Sequence, residues 1–252
     1  MTDNMKVSIV TGTYNSEAYI KDCVSSIQNQ DYSDIEHIII DGASKDNTVA
    51  IIENMPNRVS KLISEPDGGI YNAMNKGLRL CEGEIVGILN SDDFYNTNQV
   101  ISNIVDAFQK TDADCVFGDL YYVNAENPEK IVRKWVTGNY SKNSFRKGWH
   151  PAHPSFFVKS DVYKKYGYFD EELSLAADFE IMLRFIERHG LKTHYIAEPL
   201  VRMRLGGATS KNLKNVIKGN KECIRAFEKN DMSAPLLYSI RRLAPKLKQF
   251  VR

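Results

Sequence analysis

An α/β fold with a mostly parallel, Rossmann-like sheet and helices on both faces is what this sequence predicts. Three observations lead there. Short β-branched runs alternate with helix-period segments through the first half of the chain. One run, His37-Ile38-Ile39-Ile40, is apolar without alternation, as a strand covered on both faces must be. Repeated strand–helix–strand units also favour right-handed crossovers and parallel neighbours.

Taken in order, Val7-Ser8-Ile9-Val10 is the first strand. A helix follows from about residue 16 to 30, with Ile20, Cys23, Val24 and Ile27 on one face. The second strand, His37 to Ile40, ends in the turn Asp41-Gly42-Ala43-Ser44, and Asn47 or Thr48 can cap the next helix. Leu62-Ile63 marks a third strand, broken by Pro66-Asp67-Gly68-Gly69. A helix with Ile70, Met74 and Leu78 comes next, and Gly83 stops it before the buried strand Glu84 to Leu89. A helix burying Val100, Ile104 and Phe108 follows.

The second half is less regular. Strands are expected at Val116 to Val123 and Ile131-Val132, with a turn around Asn127-Pro128. Trp149 to Pro154 is a Pro/His-rich loop before the strand Phe156-Phe157-Val158. A helix from about Ala177 to His189 buries Phe179, Met182, Leu183 and Ile186, and Tyr195 to Arg204 holds a last strand. From Ser210 the chain reads helical and basic. No repeat or linker intervenes, so the expected organisation is one domain, 1–210, with a helical C-terminal extension, 211–252.

Bulk properties narrow the function. A formal net charge of +1 argues against non-specific nucleic-acid binding. The cysteines Cys23, Cys81, Cys115 and Cys223 are scattered, which fits core residues in a reducing compartment rather than a zinc site or disulfide frame. No apolar run reaches the roughly eighteen residues of a membrane span. The polar start leads straight into a strand and does not read as a signal peptide. A cytoplasmic protein is expected.

In a sheet of this kind ligands bind beyond the carboxyl ends of the strands. That rule selects Thr11 to Glu17, Asp41 to Asp46, Asp67 to Tyr71 and Asn90 to Asp93 as loops of one crevice. Asn90-Ser91-Asp92-Asp93 is the most telling. Two carboxylates and an amide at a strand end form a hard-oxygen cluster suited to Mg²⁺ or Mn²⁺ shared with a substrate's phosphates. Its plainer reading is a turn whose aspartate caps the next helix.

Thr11-Gly12-Thr13-Tyr14-Asn15-Ser16-Glu17, Asp41-Gly42-Ala43-Ser44-Lys45-Asp46, Asp67-Gly68-Gly69, Asn90-Ser91-Asp92-Asp93 and Ala177-Asp178 occur in this order. The set, from about Lys6 to Ser210, resembles the inverting family 2 glycosyltransferases of the glycosyltransferase-A fold. The resemblance implies that Gly12, Tyr14 and Glu17 frame a nucleoside, with Asp41 and Asp67 contacting the nucleotide. Asn90 would bind ribose or back a water. Asp92, then Asp93, would hold the metal, and Asp178 would be the general base. The chain departs from many relatives at Met74, where they carry arginine, at Asn90, where they often carry aspartate, and at Arg204-Leu205-Gly206-Gly207, where many have a metal-binding histidine. Weak, exchangeable metal binding is therefore expected.

On the acceptor side, His153 is a candidate contact for diphosphate or acceptor, and Trp149 for a sugar ring; each has a structural alternative. Glu180, Asp170 and Glu171 compete with Asp178 for the role of base. Arg202 and Arg204 are candidates to reach phosphates. The tail sets Leu243, Leu247 and Val251 among basic residues, the pattern of a helix that rests on an anionic membrane or covers the core. The expected partners are a nucleotide-sugar, a UDP-sugar by default, and a saccharide or lipid-linked saccharide acceptor. A nucleotidyltransferase or a non-catalytic nucleotide-sugar binder are the alternatives; an NAD-dependent oxidoreductase is rejected because the first loop lacks G-x-G-x-x-G.

Overall fold

The computed structural model describes residues 5–206, 213–236 and 238–239. Strand β1 (Val7–Thr13) lies between β2 (Ile35–Asp41) and β4 (Ile85–Ile88), with β3 (Val59–Ser64) outside β2, all parallel. The register sets Thr13 beside Asp41 and Asp41 beside Ser64, so three strands finish together and their loops leave from one edge.

Beyond β4 the sheet is mixed. β6 (Cys115–Val123) runs parallel to β9 (Thr193–Arg204), but β8 (Phe156–Lys159) inserts antiparallel between β4 and β6. β7 (Ile131–Trp135) turns straight back on β6, and β5 (Phe94–Tyr95) edges β9 antiparallel. Parallel pairing thus dominates the first half only. A short return such as β6 to β7 leaves no room for the crossover that a parallel pair needs.

Alternation along the strands builds two cores. Val7 and Ile9 of β1, Ile85 of β4 and Val116 of β6 face α1 (Ile20–Gln28) and α4 (Val100–Lys110). Val10, Val86, Ile88, Cys115 and Phe117 face the other way, onto α3 (Ile70–Arg79), α5 (Ser160–Tyr166), α6 (Ala177–Met182) and α7 (Leu213–Lys229). α6 runs on into a π-helical turn, Leu183–Arg188. α3 lies so close to the sheet that a Cβ on Gly77 would come within 2.4 Å of Val10 Cγ1. α2 (Thr48–Glu53) covers Ile39 together with Ile20 and Val24 of α1.

Helix α1 begins at Ile20 rather than near residue 16, because Ser16 and Glu17 give their N–H groups to the neighbouring loop, to Thr48 Oγ1 and Asp46 Oδ2. Asn47 stands at the N-cap of α2, as expected, but makes no side-chain capping bond; Asp46 Oδ1 accepts the Thr48 N–H at 3.0 Å instead. β5 and α5 were not anticipated; Gly167, at φ +90°, is the stop signal for α5 that the sequence displays. α7 buries Cys223, Ala226 and Phe227 against Phe179 of α6. Gly207, Leu243, Leu247 and Val251 lie outside the described residues. Among the described residues no helix is long and apolar enough to cross a membrane.

Candidate active site

Hydrogen bonds tie the loop after β1 to the loop after β2. Asn15, held at φ +48°, gives its N–H to Ser44 Oγ at 2.8 Å, and its Oδ1 accepts from Lys45 N at 2.8 Å. Asparagine tolerates this left-handed backbone better than most residues. Glu17 Oε2 accepts from both Asn47 N (3.0 Å) and Asn47 Nδ2 (2.9 Å). Asp41 is fully buried, and its carboxylate accepts from Ser44 N (2.9 Å), Ser64 Oγ (2.6 Å) and Ser44 Oγ. Its side chain braces the floor of the crevice.

The loop after β3 closes on the same point. A Cβ built on Gly42 would lie 2.7 Å from Asp67 Oδ2 and 3.3 Å from Tyr14 Cδ2. Gly42 therefore leaves a bare backbone between an exposed aromatic ring and a carboxylate. Asp67 is steadied through Oδ1, which accepts Gly69 N–H at 2.7 Å. Gly12 is buried beneath α3, where a Cβ would meet Ala73 Cβ at 3.4 Å.

The acidic loop after β4 joins through Ser91 Oγ, 2.9 Å from Ser16 Oγ. Its two aspartates differ. Asp93 is fully buried; Oδ1 accepts from Arg204 N (3.3 Å) and Oδ2 from Asn90 Nδ2 (3.0 Å). Burial, with Asp92 adding repulsion, holds its carboxyl well above the usual carboxylate range. Asp92 is only half-buried, and burial raises it too. Asp92 thus keeps part of its surface exposed, whereas Asp93 is sealed in the wall.

A metal was expected here. Among the described residues no three His, Cys, Asp or Glu side chains converge to hold an ion. Of the two aspartates expected to hold it, only Asp92 keeps a partly exposed carboxylate; Asn90 Oδ1 in the same turn is a buried oxygen without a partner. These hard oxygens fit Mg²⁺ or Mn²⁺ only when substrate oxygens and water complete the shell. Arg204 does not face phosphates as expected. It is 4% exposed, its guanidinium donates to the Asp92 carbonyl at 2.7 Å, pairs with Asp22, and lies 4.9 Å from the rings of both Tyr19 and Phe94. Arg202 is likewise engaged, with Asn96 Oδ1 at 2.9 Å and Glu129 at 3.0 Å.

Across the crevice Asp178 opens α6, half-buried. Its sequence neighbours are all committed. Glu180 holds Arg184 (2.9 Å) and Asn230 (2.8 Å), Asp170 pairs with Lys229 (2.5 Å), and Glu171 accepts from Asn72 (2.9 Å) and Asn75 (2.7 Å). Asp178 instead accepts from Tyr71 Oη at 3.3 Å and Phe179 N at 2.8 Å, both on Oδ1. The His153 ring lies edge-on to Phe169 at 5.6 Å. Burial pushes its pKa down, and Asp178 opposes that shift. Trp149 packs among Phe117, Tyr140 and Phe145, and its indole N–H is spent on Thr137 O at 2.6 Å, so it is a core residue.

The contacts thus run from loop to loop: Tyr14 and Glu17 to Gly42 and Asn47, Gly42 to Asp67, Ser16 to Ser91. Helix α3, which begins three residues on from Asp67, carries Tyr71 to Asp178. Tyr71 and the Arg204–Asp22 pair escape a reading of the sequence, since each acts across more than a hundred residues of chain. Asp170 and Glu180, with Arg184, Arg188, Lys229 and Asn230, line a separate cavity of about 280 Å³.

Residues 8–166 match the Glycosyl transferase family 2 profile. Glycosyltransferase GlyG of Streptococcus pneumoniae serotype 4 is 36% identical over 135 residues, 52% of this chain and 44% of that protein. An uncharacterized glycosyltransferase of Mycobacterium tuberculosis is 30% identical over 186 residues, 73% of this chain and 70% of its own length. Among solved structures, S. aureus TarS 1–349 in complex with UDP-GlcNAc superposes with a TM-score of 0.70 at 20% identity, over 97% of this chain and 72% of that one. The mannosyltransferase PcManGT from Pyrobaculum calidifontis, in complex with GDP-Man and Mn²⁺, gives 0.67 at 20% identity, over 98% and 70%.

Proposed function

This chain belongs to glycosyltransferase family 2, and we propose that it moves a sugar from a nucleoside-diphosphate sugar to an acceptor hydroxyl with inversion at the anomeric carbon. The observation that carries this reading is the state of the acidic side chains around the crevice. Asp92 and Asp178 remain half-buried and lightly engaged, while Asp41, Asp93, Glu171 and Glu180 are tied into the scaffold.

Tyr14 packs against the base over the bare backbone of Gly42, with Asp67 at its edge and Glu17 within reach of ribose hydroxyls. Asp41 acts by holding Ser44 and Ser64. Asn90 turns its unpartnered Oδ1 toward ribose or water. Asp92 would hold Mg²⁺ or Mn²⁺, which when bound neutralises the charge of the leaving diphosphate as a Lewis acid. Asp93 backs that turn. Asp178 takes the proton from the acceptor hydroxyl as it attacks, and His153 lines the path beside it. A uridine nucleotide is the first choice of donor. The complexes of the structural neighbours with UDP-GlcNAc and GDP-Man support the nucleotide-sugar class and leave the base open.

The acceptor is a saccharide or lipid-linked saccharide of surface-polysaccharide or glycolipid assembly. Support comes from α7, which exposes Leu213 and Ile217 among Lys214, Lys218 and Lys221, a face suited to an anionic bilayer. Free, mostly buried cysteines agree with a cytoplasmic setting. Nucleoside diphosphate release is the test, measured over UDP-, GDP- and dTDP-sugars with and without Mn²⁺. Turnover that requires the ion and falls at least about a hundredfold in Asp178→Asn supports the reading. Turnover within a few-fold in that variant refutes the assignment of the base.

A further inference from the structure

A general base must do more than be ionised; one of its oxygens has to point at the proton it removes. Asp178 receives Tyr71 Oη (3.3 Å) and Phe179 N (2.8 Å) on the same oxygen, Oδ1, so Oδ2 carries neither donor. Tyr71 is itself fixed. Its ring stacks on Phe169 at 5.4 Å and 28°. Phe169 is 4% exposed, and buried Asn75 clamps its backbone from α3, with Phe169 N to Asn75 Oδ1 at 2.9 Å and Asn75 Nδ2 to Phe169 O at 2.9 Å.

We propose that Tyr71 is a positioning residue for the transfer reaction, fixing the plane of the Asp178 carboxylate through Oδ1 and leaving Oδ2 to take the proton of the acceptor hydroxyl. This rests on the reading of Asp178 as the base. The phenol suits the task because burial pushes its pKa well above 10, so it stays a donor throughout the working range. The charged groups that act on it are Asp178 and, more weakly, Glu222 of α7, and His153 packs on the Phe169 ring that Tyr71 stacks against. Tyr71 also stands two residues after Gly69. The segment bearing Asp67 on the donor side thereby sets the base on the acceptor side, which couples donor seating to base alignment.

The test is Tyr71→Phe in the full chain, which keeps the ring stack and removes only the hydroxyl. Using the nucleotide-sugar that wild type turns over fastest, kcat should fall roughly ten- to hundredfold while the donor KM stays within about twofold. The acid limb of the kcat–pH profile should move to higher pH, since a donor to the charged carboxylate has been lost. Tyr71→Phe combined with Asp178→Asn should be no slower than Asp178→Asn alone. An unchanged kcat, an unmoved acid limb or additive losses would overturn the proposal. Phe169→Leu, which unseats the ring, should reproduce the kcat loss; full activity there also counts against it. Loss in Asp178→Asn with full activity in Tyr71→Phe would leave the base standing and sink only this inference.

Discussion

Arg204 donates to the backbone carbonyl of Asp92 at 2.7 Å, so the acidic turn after β4 is held by the last residue of β9. The same guanidinium sits between the rings of Tyr19 and Phe94 and pairs with Asp22. Arg204→Met should therefore raise the donor KM and cost about 1–3 kcal/mol of stability, because the Asp92 carbonyl and Asp22 lose their donor. Urea titration alongside steady-state kinetics measures both.

The two aspartates should separate cleanly. Asp92→Asn is expected to leave the melting temperature unchanged or slightly higher, since burial already opposes its charge, and to weaken Mn²⁺-dependent donor binding by more than about tenfold. Asp93→Ala is expected to act mainly on stability, losing about 1–3 kcal/mol as Arg204 N and Asn90 Nδ2 are left unpaired. Calorimetric titration of donor and a thermal melt on each variant distinguish the two roles.

Gly42 marks where the base should lie. Gly42→Ala places a methyl 2.7 Å from Asp67 Oδ2 and 3.3 Å from Tyr14 Cδ2. The donor KM should rise several-fold, with the melting temperature within about 2 °C of wild type. A purely structural Gly42 would show the opposite pattern, a large melting shift and an unchanged KM.

His37 sets an acid limit on stability. It is fully buried, bonded through Nε2 to Thr11 Oγ1 at 3.0 Å, and burial pushes its pKa down to about 3. The unfolded chain then binds the extra proton between pH 6.5 and about 3, so stability falls as pH drops through that window. The slope contributed by His37 is at most about 1.4 kcal/mol per pH unit. His37→Gln should flatten it, as seen in urea unfolding at a series of pH values.

What could be read from the sequence follows the range of the interactions. β2 declares itself because Ile38, Ile39 and Ile40 are consecutive, and α4 because Val100, Ile104 and Phe108 fall on one face. The loops of the crevice follow from the strand-end rule alone. Which acid in each loop stays available does not, since Asp93 is distinguished from Asp92 by Arg204, a partner far along the chain. Tyr71 reads as an ordinary first-turn aromatic until α6 is packed beside it. β8 shows no local sign that it will insert antiparallel between β4 and β6, because both partners come from distant stretches of the chain.

A crystal structure with UDP and Mn²⁺ tests the convergence of these loops most directly. The base should stack on Tyr14 over Gly42, with the ion bridging Asp92 and the diphosphate and Asp178 facing the anomeric side. A diphosphate bound instead among Arg184, Arg188 and Lys229, with Asp92 and Tyr14 untouched, would contradict the assignment of the site.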